Sequence, residues 1–528
     1  MNILSFILIT SIFELIIYLC ASFVSIKKSL LYFQQNRYEL YRYSKWLFDF
    51  KRFKFPLLEI VFCVLIFLSG FIRSYVGYLA DIGLVIIYAI ISIIKESKVE
   101  YIKDLVVTSR VIRQIIFFVL IMIIFLLDSI LMFNAFVSFI IAILLPYLVI
   151  YLVAILTYPI EELIKKAYEN KAKRILNENN NLIKIGITGS FGKTSTKNIV
   201  NDIISNSFYT LITPASYNTP MGITKTIRQM LKPIHEVFVC EMGADHKNDI
   251  KHLMNFVCPK YGIVTSIGEQ HLNTFKSLDN IINEKMKEIE MLPSDGVGFI
   301  NLDNEYIANY KIKNNCKIVS VGIENKEAQY VAKNIKYTNE GMEFSLKIKS
   351  KVYKFKTKLL GKHNITNILI GIALAIELGI DINDIVKAVS GINQVEHRLE
   401  VKKINNYTFI DDAFNSNPVG SKMALDVLSL MSGKRVIVTP GMIDEGAKQD
   451  ELNREFGMYM KDRADFVILV GKIQTQAINE GLIASKFNSK NIKVVDNVKE
   501  AFNFIYSKFS TKDTILLEND LPDAFNMW

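Results

Sequence analysis

The sequence has 528 residues, enough for three or four domains. Its hydrophobic fraction of 51% and its net charge of +10 are unevenly distributed. Residues before about 160 are dominated by Leu, Ile, Phe, Val and Tyr, whereas later residues have a mixed α/β composition. The basic residues of the first part crowd into two short segments, which argues against nucleic-acid binding. The five cysteines form no Cys-x-x-Cys pair, which argues against a disulfide framework or a zinc site.

Residues 1–160 contain several apolar runs that approach the length of a helix crossing a bilayer, about 20 residues. The intervening segments Lys27–Lys54 and Lys95–Arg113 are rich in lysine and arginine, which favours the cytoplasmic side. We therefore expect a multi-pass plasma-membrane protein with about five spans and with its catalytic domains, after Ile160, in the cytoplasm. The runs are Ile3–Val24, Leu57–Phe71, Leu79–Ile94, Ile115–Phe133 and Phe136–Ile155.

A glycine-containing loop follows the first strand predicted after this part of the chain. Residues 161–181 are predicted to form a cytoplasmic helix and a polar linker, and Leu182–Thr188 has the composition of a buried strand. A loop ending in Gly-Lys-Thr comes next, and a helical pattern begins at Thr196. Strand, glycine loop and helix N-terminus form a cradle for phosphate, because backbone N–H groups point at the anion. The loop residues predicted to bind ATP are Gly189, Ser190, Gly192, Lys193, Thr194 and Ser195.

Two further predicted strands end near polar side chains. Val237–Cys240 is followed by Glu241, and Ile263–Ile267 is followed by a segment that contains His271. The carboxyl ends of parallel strands meet at one edge of a sheet, where ligands bind. Either side chain alone would be an ordinary surface or loop residue. With the Gly-Lys-Thr loop they indicate a divalent-metal site beside a nucleotide.

Residues 182–528 resemble the Mur ligases, most closely the members that add D-alanyl-D-alanine to UDP-N-acetylmuramoyl-tripeptide. Seven motifs occur in the family's order, and the ordered set is far more specific than any one of them. The motifs are Thr188–Thr194, Thr213–Gly222, Glu241–Gly243, His271–Lys285, Gly361–Asn367, Glu396–Arg398 and Asp411–Pro418.

The apolar runs of residues 1–160 and the resemblance of residues 182–528 together give the expected fold of the whole chain. An α-helical transmembrane domain (1–160) and the linker (161–181) would precede a central α/β P-loop domain over 182–393. A Rossmann-like α/β domain over 394–528 would close over the nucleotide as a lid. Strand predictions in this last domain are Thr408–Ile410, Arg435–Thr439, Phe466–Val470 and Thr514–Leu517.

The resemblance also implies ATP-dependent amide ligation through an acyl phosphate. Lys193 would stabilise the γ-phosphoryl group. Thr194 and Glu241 would bind one Mg²⁺, and His271 with a carbamoylated Lys285 would bind a second. The alternative for Lys285 is a solvated helix lysine. Further implied residues are His363, Asn364, Asn367, Arg398, Asp412 and Asn415 for ATP, and Asn218 and Thr219 for the substrate.

Two departures from the family concern substrate choice. The domain that grips the UDP end has no visible counterpart, and Leu517–Asp523 is acidic where the family has a basic motif. We expect a cell-wall precursor as acceptor, either nucleotide-linked or lipid-linked at the membrane, and an amino acid or a dipeptide such as D-Ala-D-Ala as donor. A polyglutamate-type ligase on a different acceptor, a non-catalytic envelope scaffold and an ATP-driven transporter are the alternatives.

Overall fold

The computed structural model describes residues 3–47, 57–69, 75–99, 101, 103–132, 140, 143, 146–215, 217–270, 272–414, 417–443 and 448–520. The chain divides into two compact units, one built on residues 1–164 and the other on Lys165–Asp520.

The first unit consists of helices whose apolar side chains pack on one another. Phe33, Tyr43, Tyr88, Val111 and Phe118 are at most 1% exposed and belong to one core cluster. The helices are α1 (Ile3–Gln35), α2 (Leu40–Leu47), α3 (Leu57–Ser69), α4 (Tyr75–Glu96), α5 (Ser109–Met132) and α6 (Pro146–Glu178), the last of which continues into the second unit.

The helices of the first unit correct the predicted localisation. Among the described residues, one helix, Pro146–Glu178, is long and apolar enough to cross a membrane, and one shorter apolar helix covers Leu58–Ser69. This finding contradicts the prediction of a multi-pass membrane protein with about five spans. The physical reason is that an apolar run suits a protein core and a bilayer equally well, so composition alone does not separate them.

The first sheet of the second unit is mainly parallel. Among the described residues it contains β1 (Ile183–Thr188), β2 (Thr210–Ile212), β3 (Val237–Glu241), β4 (Tyr261–Val264), β5 (Val297–Asn301), β6 (Lys317–Gly322), β7 (Tyr330–Thr338), β8 (Gly341–Ile348) and β9 (Lys351–Thr357). The strand order is β2-β3-β1-β4-β5-β6-β7-β8-β9, and only the pairs β7–β8 and β8–β9 are antiparallel. Strand β1 therefore lies between β3 and β4, so the three carboxyl ends are neighbours.

Helices cover both faces of this sheet, because its strands are apolar on both sides. Gly371 allows two of them, Lys193–Ile204 and Lys362–Glu377, to approach closely, since a Cβ there would lie 2.6 Å from Ile203 Cδ1. The helices are α7 (Lys193–Ile204), α8 (Pro220–Met230), α9 (Asp249–Val257), α10 (Leu272–Phe275), α11 (Leu278–Glu290), α12 (Glu305–Ala308), α13 (Lys362–Glu377) and α14 (Ile382–Ser390).

A second α/β sheet follows in the described C-terminal residues. It contains β10 (Glu400–Ile404), β11 (Tyr407–Asp412), β12 (Arg435–Thr439), β13 (Phe466–Val470), β14 (Ile492–Val495) and β15 (Thr514–Glu518), in the order β10-β11-β15-β12-β13-β14. Only β10 and β11 pair antiparallel. The predicted α/β class of both domains is confirmed. The helices are α15 (Pro418–Ser429), α16 (Gln449–Tyr459), α17 (Gln476–Ala484) and α18 (Val498–Lys508).

Candidate functional site

The loop between β1 and α7 has the backbone of a phosphate-binding loop. Gly189 has φ +148° and Gly192 has φ +80°, conformations that residues with a Cβ rarely adopt. A Cβ on Gly189 would also lie 2.1 Å from Thr265 Oγ1. Gly192 is the N-cap of α7, and no side chain caps that helix end. The first N–H groups of α7 therefore remain available to an anion.

Residues after β4 fix this loop in place. The Ser190 N–H donates to Ser266 O (2.7 Å), and the Ser190 hydroxyl donates to Gly268 O (3.1 Å). The hydroxyls of Thr265 and Ser266 both donate to Phe191 O, at 2.5 and 3.1 Å. The loop conformation is thus held by the neighbouring strand end. Ser190 and the buried Ser195, both predicted ATP-binding residues, lie in this loop and in the first turn of α7.

Lys193 folds back over the loop. Its Nζ donates to Gly189 O at 2.8 Å and to Ser190 O at 3.0 Å. Burial lowers the pKa of the ammonium, and the Glu241 carboxylate opposes that shift. The Lys193 ammonium lies next to the uncapped N–H groups at the start of α7. Both carry positive charge and can bind phosphate oxygens. Thr194 follows it, half-buried, in the first turn of α7.

Glu241 ends β3 and is held on both carboxylate oxygens. Asn218 Nδ2 donates to Oε1 at 2.9 Å, and Lys197 Nζ donates to Oε2 at 3.2 Å. The backbone N–H of Glu241 donates to Thr213 Oγ1 at 3.0 Å. The carboxylate is 1% exposed, so its orientation is fixed by these partners. The predicted substrate residue Asn218 therefore contacts the predicted metal ligand.

Thr219, the second predicted substrate residue, has a structural partner. Its side chain accepts a hydrogen bond from the Gly222 N–H at 3.3 Å and caps α8. Pro220 follows at the first helical position, where a missing N–H costs nothing. This contact explains the Thr-Pro pair by helix capping.

Lys285 lies on α11 and is 2% exposed, so it is not a solvated helix lysine. Its Nζ donates to Ala244 O at 3.2 Å, just beyond the end of β3. Burial lowers its pKa to about 7, and the charge of Lys193 acts in the same direction. Lys287, two residues further on, bonds Glu284 and Asn248 instead. Among the two lysines, Lys285 alone points towards the strand ends.

Two predicted site residues, His271 and Asn415, lie outside the described residues. Within the described ranges, no group of three or more His, Cys, Asp or Glu side chains could hold a metal ion. The predicted second Mg²⁺ site therefore has one described member, Lys285.

The N-terminus of α13 lies beside the phosphate loop. A Cβ on Gly192 would be 3.4 Å from Asn367 Oδ1, and Asn367 Nδ2 donates to Asn364 Oδ1 at 3.3 Å. Asn364 Nδ2 donates to Leu360 O at 2.7 Å. Nδ1 of His363 is buried without a hydrogen-bond partner among the described residues. Burial and the charge of Arg398 lower the pKa of His363 to about 4, so its imidazole is neutral at physiological pH.

The described C-terminal domain contributes Arg398 and Asp412 to the same region. Burial lowers the pKa of the Arg398 guanidinium, while Asp412 and Glu241 oppose that shift through their charges. The guanidinium lies 5.1 Å from the centre of the Phe414 ring. Burial raises the pKa of Asp412 to about 6, and its carboxyl shares a hydrogen bond with Glu518. Glu518 belongs to the acidic segment that departs from the family pattern.

Lys197 is a site residue that the sequence did not indicate. It lies one helical turn after Lys193, is 1% exposed and pairs with Glu241. Its spacing of four residues from Lys193 was the only signal available, since Glu241 is 44 residues distant in sequence.

The phosphate loop and the polar residues around it are the features of a nucleotide-dependent α/β enzyme. Comparisons with known proteins identify the family. Residues 187–375 match the model of the Mur ligase middle domain, and residues 397–518 match the Mur ligase, glutamate ligase domain. The chain belongs to the Mur ligase family, and the predicted resemblance to ATP-dependent ligases is confirmed.

Among curated proteins, the chain is similar to UDP-N-acetylmuramoyl-tripeptide--D-alanyl-D-alanine ligases of several bacteria. The protein of Escherichia coli (strain K12) is 30% identical over 298 residues, which are 56% of this chain and 66% of that protein. The protein of Bacillus subtilis (strain 168) is 28% identical over 356 residues, 67% of this chain and 76% of that protein. The chain thus spans about two thirds of the length of the first relative.

Solved structures show the same fold. A crystal structure of MurF from Acinetobacter baumannii matches with a TM-score of 0.61 and 25% identity, covering 67% of this chain and 77% of that chain. MurF from Thermotoga maritima in complex with ADP matches with a TM-score of 0.61 and 21% identity, covering 67% and 80%. The second likeness concerns the fold alone.

Proposed function

We propose that this chain ligates D-alanyl-D-alanine to UDP-N-acetylmuramoyl-tripeptide, with hydrolysis of ATP to ADP and phosphate. The reaction named by its curated relatives supplies the substrates. Since those relatives act on a nucleotide-linked tripeptide, we choose this acceptor over the lipid-linked precursor. We assign the ATP-binding domain to 182–393 and the lid to 394–528.

One observation carries the proposal. The phosphate loop, the Glu241 carboxylate and Lys285 lie at the adjoining carboxyl ends of β1 and β3, where Lys193 is within the electrostatic influence of Glu241 and Lys285. A non-catalytic scaffold would have no need of a buried lysine and a buried carboxylate at this edge, because both incur desolvation costs.

The first chemical step is phosphoryl transfer. The acceptor carboxylate oxygen forms a bond to the γ-phosphorus, the bond to the bridging oxygen breaks, and ADP leaves. Lys193 would leave the loop carbonyls and follow the charge of the transferred group, and the N–H groups of α7 would hold the phosphates. Arg398 and His363 would border the nucleotide, with Asn364, Asn367, Asp412 and Asn415 towards its base and ribose.

The second step forms the amide. The free amine of the dipeptide attacks the acyl carbon, a tetrahedral intermediate forms, and the bond to phosphate breaks as the amine loses a proton to solvent. Both steps depend on holding two reactants in line, so catalysis comes mainly from positioning and electrostatics.

The donor set fits Mg²⁺ at one position. Thr194 and Glu241 offer a hydroxyl and a carboxylate, the hard oxygen ligands that Mg²⁺ prefers. Lys285 would become an oxygen ligand for a second ion if its amine adds CO₂, and its pKa of about 7 leaves much of that amine neutral. His271 would complete that position. When bound, the ions would neutralise charge on the phosphoryl oxygens.

The test uses the full-length protein with ATP, Mg²⁺, UDP-muramoyl-tripeptide and D-Ala-D-Ala. We expect one ADP and one phosphate per product, and a product whose mass exceeds the acceptor by the dipeptide minus water. Omission of the acceptor should abolish ADP release, and omission of the dipeptide should limit it to about one ADP per enzyme, because the first step needs only ATP and the acceptor. Binding of acceptor without turnover would favour the scaffold, and ADP release with a different acceptor or donor would keep the ligase but refute these substrates.

A further inference from the structure

Lys197 joins three parts of the site that are distant in sequence. It lies on α7 with the phosphate loop at its start, and its Nζ donates to Ala215 O at 2.6 Å and to Glu241 Oε2 at 3.2 Å. Lys193 and Lys197 are four residues apart, so they project from the same face of the helix. Helix α7 thereby connects the phosphate loop with the segment that contains Ala215.

The segment that Lys197 contacts, described for residues 213–215 and 217–219, also has backbone bonds: the Thr213 N–H donates to Val239 O at 3.1 Å, and the Tyr217 N–H donates to Pro214 O at 2.9 Å. Residues 213–219 connect β2 to α8, and Ala215 has φ +42°, which is uncommon for a residue with a Cβ. Besides the Lys197 bond, this segment is tied to the end of β3 by the Thr213 and Asn218 side chains on Glu241. The backbone carbonyl of Asn218 also accepts from the Gly243 N–H at 2.8 Å.

Stability alone does not account for this lysine. Both partners of the pair are 1% exposed, and a buried ion pair generally gains little net stability, because desolvation offsets the attraction. Such a pair can instead fix a single arrangement. Here the arrangement includes a predicted Mg²⁺ ligand and the segment assigned to the acceptor.

We propose that Lys197 is a positioning residue that holds the 213–219 segment and the Glu241 carboxylate in register with the phosphate loop. It acts through those groups on the acceptor and not directly on the nucleotide. The kinetic test of this inference rests on the proposed function, whereas the hydrogen-exchange test does not require activity.

The first experiment compares Lys197→Gln with the wild-type full-length chain. We expect the KM for UDP-muramoyl-tripeptide to rise at least tenfold, whereas the KM for ATP changes by less than threefold. Lys317→Gln is the matched control, because it breaks an exposed lysine–glutamate pair with Glu377. It should leave both constants unchanged.

The second experiment is hydrogen exchange of the same proteins without substrates. In Lys197→Gln, peptides covering 213–219 and the Gly243 amide should exchange at least fivefold faster, while β12 and β13 keep their wild-type rates. Lys197→Arg retains the charge but not the ammonium geometry, and we expect it to fold and to show the same local change.

The outcomes separate the two proposals. A wild-type protein without ligase activity refutes the proposed function, while hydrogen exchange still tests the position of the segment. Unchanged exchange at 213–219 in both variants overturns the inference, as does an equal rise in the KM of ATP and acceptor. Faster exchange throughout both variants would make Lys197 a folding residue and also overturn it.

Discussion

The central and C-terminal domains contribute to the site in different ways. In the central domain, hydrogen bonds of 2.5 and 3.1 Å hold the phosphate loop to Thr265 and Ser266, and a bond of 3.2 Å joins the buried pair Lys197 and Glu241. In the C-terminal domain, Arg398 lies over Phe414, and Asp412 shares a hydrogen bond with Glu518. Arg398 and Asp412 also attract one another electrostatically.

We expect the two parts of the site to have different roles in catalysis. The central groups are already oriented, so they should determine the rate of phosphoryl transfer. The C-terminal groups should contribute chiefly through the attraction between Arg398 and the nucleotide phosphates, and should therefore determine affinity.

The largest effect should come from the central side. Lys193→Met removes the cation that follows the transferred phosphoryl group, so kcat should fall about 10³-fold, a loss typical of one preorganised electrostatic contact. Product formation at saturating substrates measures it. An exposed lysine variant such as Lys317→Gln is the control, and a loss below tenfold would place the essential charge elsewhere.

Lys285 should give the next effect, and it should depend on pH. Because its pKa is lowered to about 7, the amine is increasingly protonated below pH 7 and cannot add CO₂. The rate at fixed dissolved CO₂ should fall as pH drops from 8 to 6, and Lys285→Ala should lower kcat about 10²-fold by removing a metal ligand.

The carbamate itself is open to measurement. Carbon-13 NMR with labelled CO₂ should show a carbamate signal in the wild type and in Lys287→Ala, but none in Lys285→Ala. A signal that persists in Lys285→Ala, or a rate that is flat between pH 6 and 8, would contradict this role.

On the C-terminal side, Arg398→Ala should raise the KM for ATP about tenfold with a smaller change in kcat, since a hydrogen bond to a charged group contributes about 1.5–3 kcal/mol. Arg463→Ala, whose guanidinium lies over Tyr459, is the control. A fall in kcat as large as that of Lys193→Met would contradict the assignment of rate to the central domain and of affinity to the C-terminal domain.

The smallest effect concerns the core behind the site. Glu288 on α11 is fully buried, and neither carboxylate oxygen has a hydrogen-bond partner among the described residues. Burial raises its pKa to about 8. The folded state therefore favours the neutral acid, and this stability is present below the unfolded pKa of 4.5 and lost as pH rises through about 8.

Glu288→Met should remove this pH dependence. The stability of the variant relative to the wild type should rise by about 1.4 kcal/mol per pH unit between pH 5 and pH 8, because the folded wild type keeps a proton that the unfolded chain has released. Urea unfolding at the two pH values measures it, with the exposed Glu340→Gln as control. A constant difference would mean that Glu288 does not titrate in this range.

The sequence was most informative where a function requires a local pattern. The glycines of the phosphate loop and Glu241 at the end of a strand follow from motifs whose residues are close in sequence, whereas the burial of Lys285 became apparent only from the structure. The strand at Ile263–Ile267 was predicted a little late, since β4 covers Tyr261–Val264 and the following residues bond the phosphate loop.

Other features depend on contacts that no local pattern encodes. The burial of Lys197 requires Glu241, which tertiary folding brings to it. Strands β7–β9 alternate buried residues such as Phe355 with exposed lysines, a pattern that predicts a strand but not its partner. The apolar runs before residue 160 suggested several membrane spans because composition does not distinguish a bilayer from a helical core.

The central claim is that this edge of the sheet activates a carboxylate as an acyl phosphate. The most direct measurement uses acceptor labelled with ¹⁸O in its terminal carboxylate, ATP, Mg²⁺ and D-Ala-D-Ala. Our account predicts one ¹⁸O atom in the inorganic phosphate for each amide formed, because the acyl C–O bond breaks in the second step. Unlabelled phosphate, or label in AMP, would contradict it.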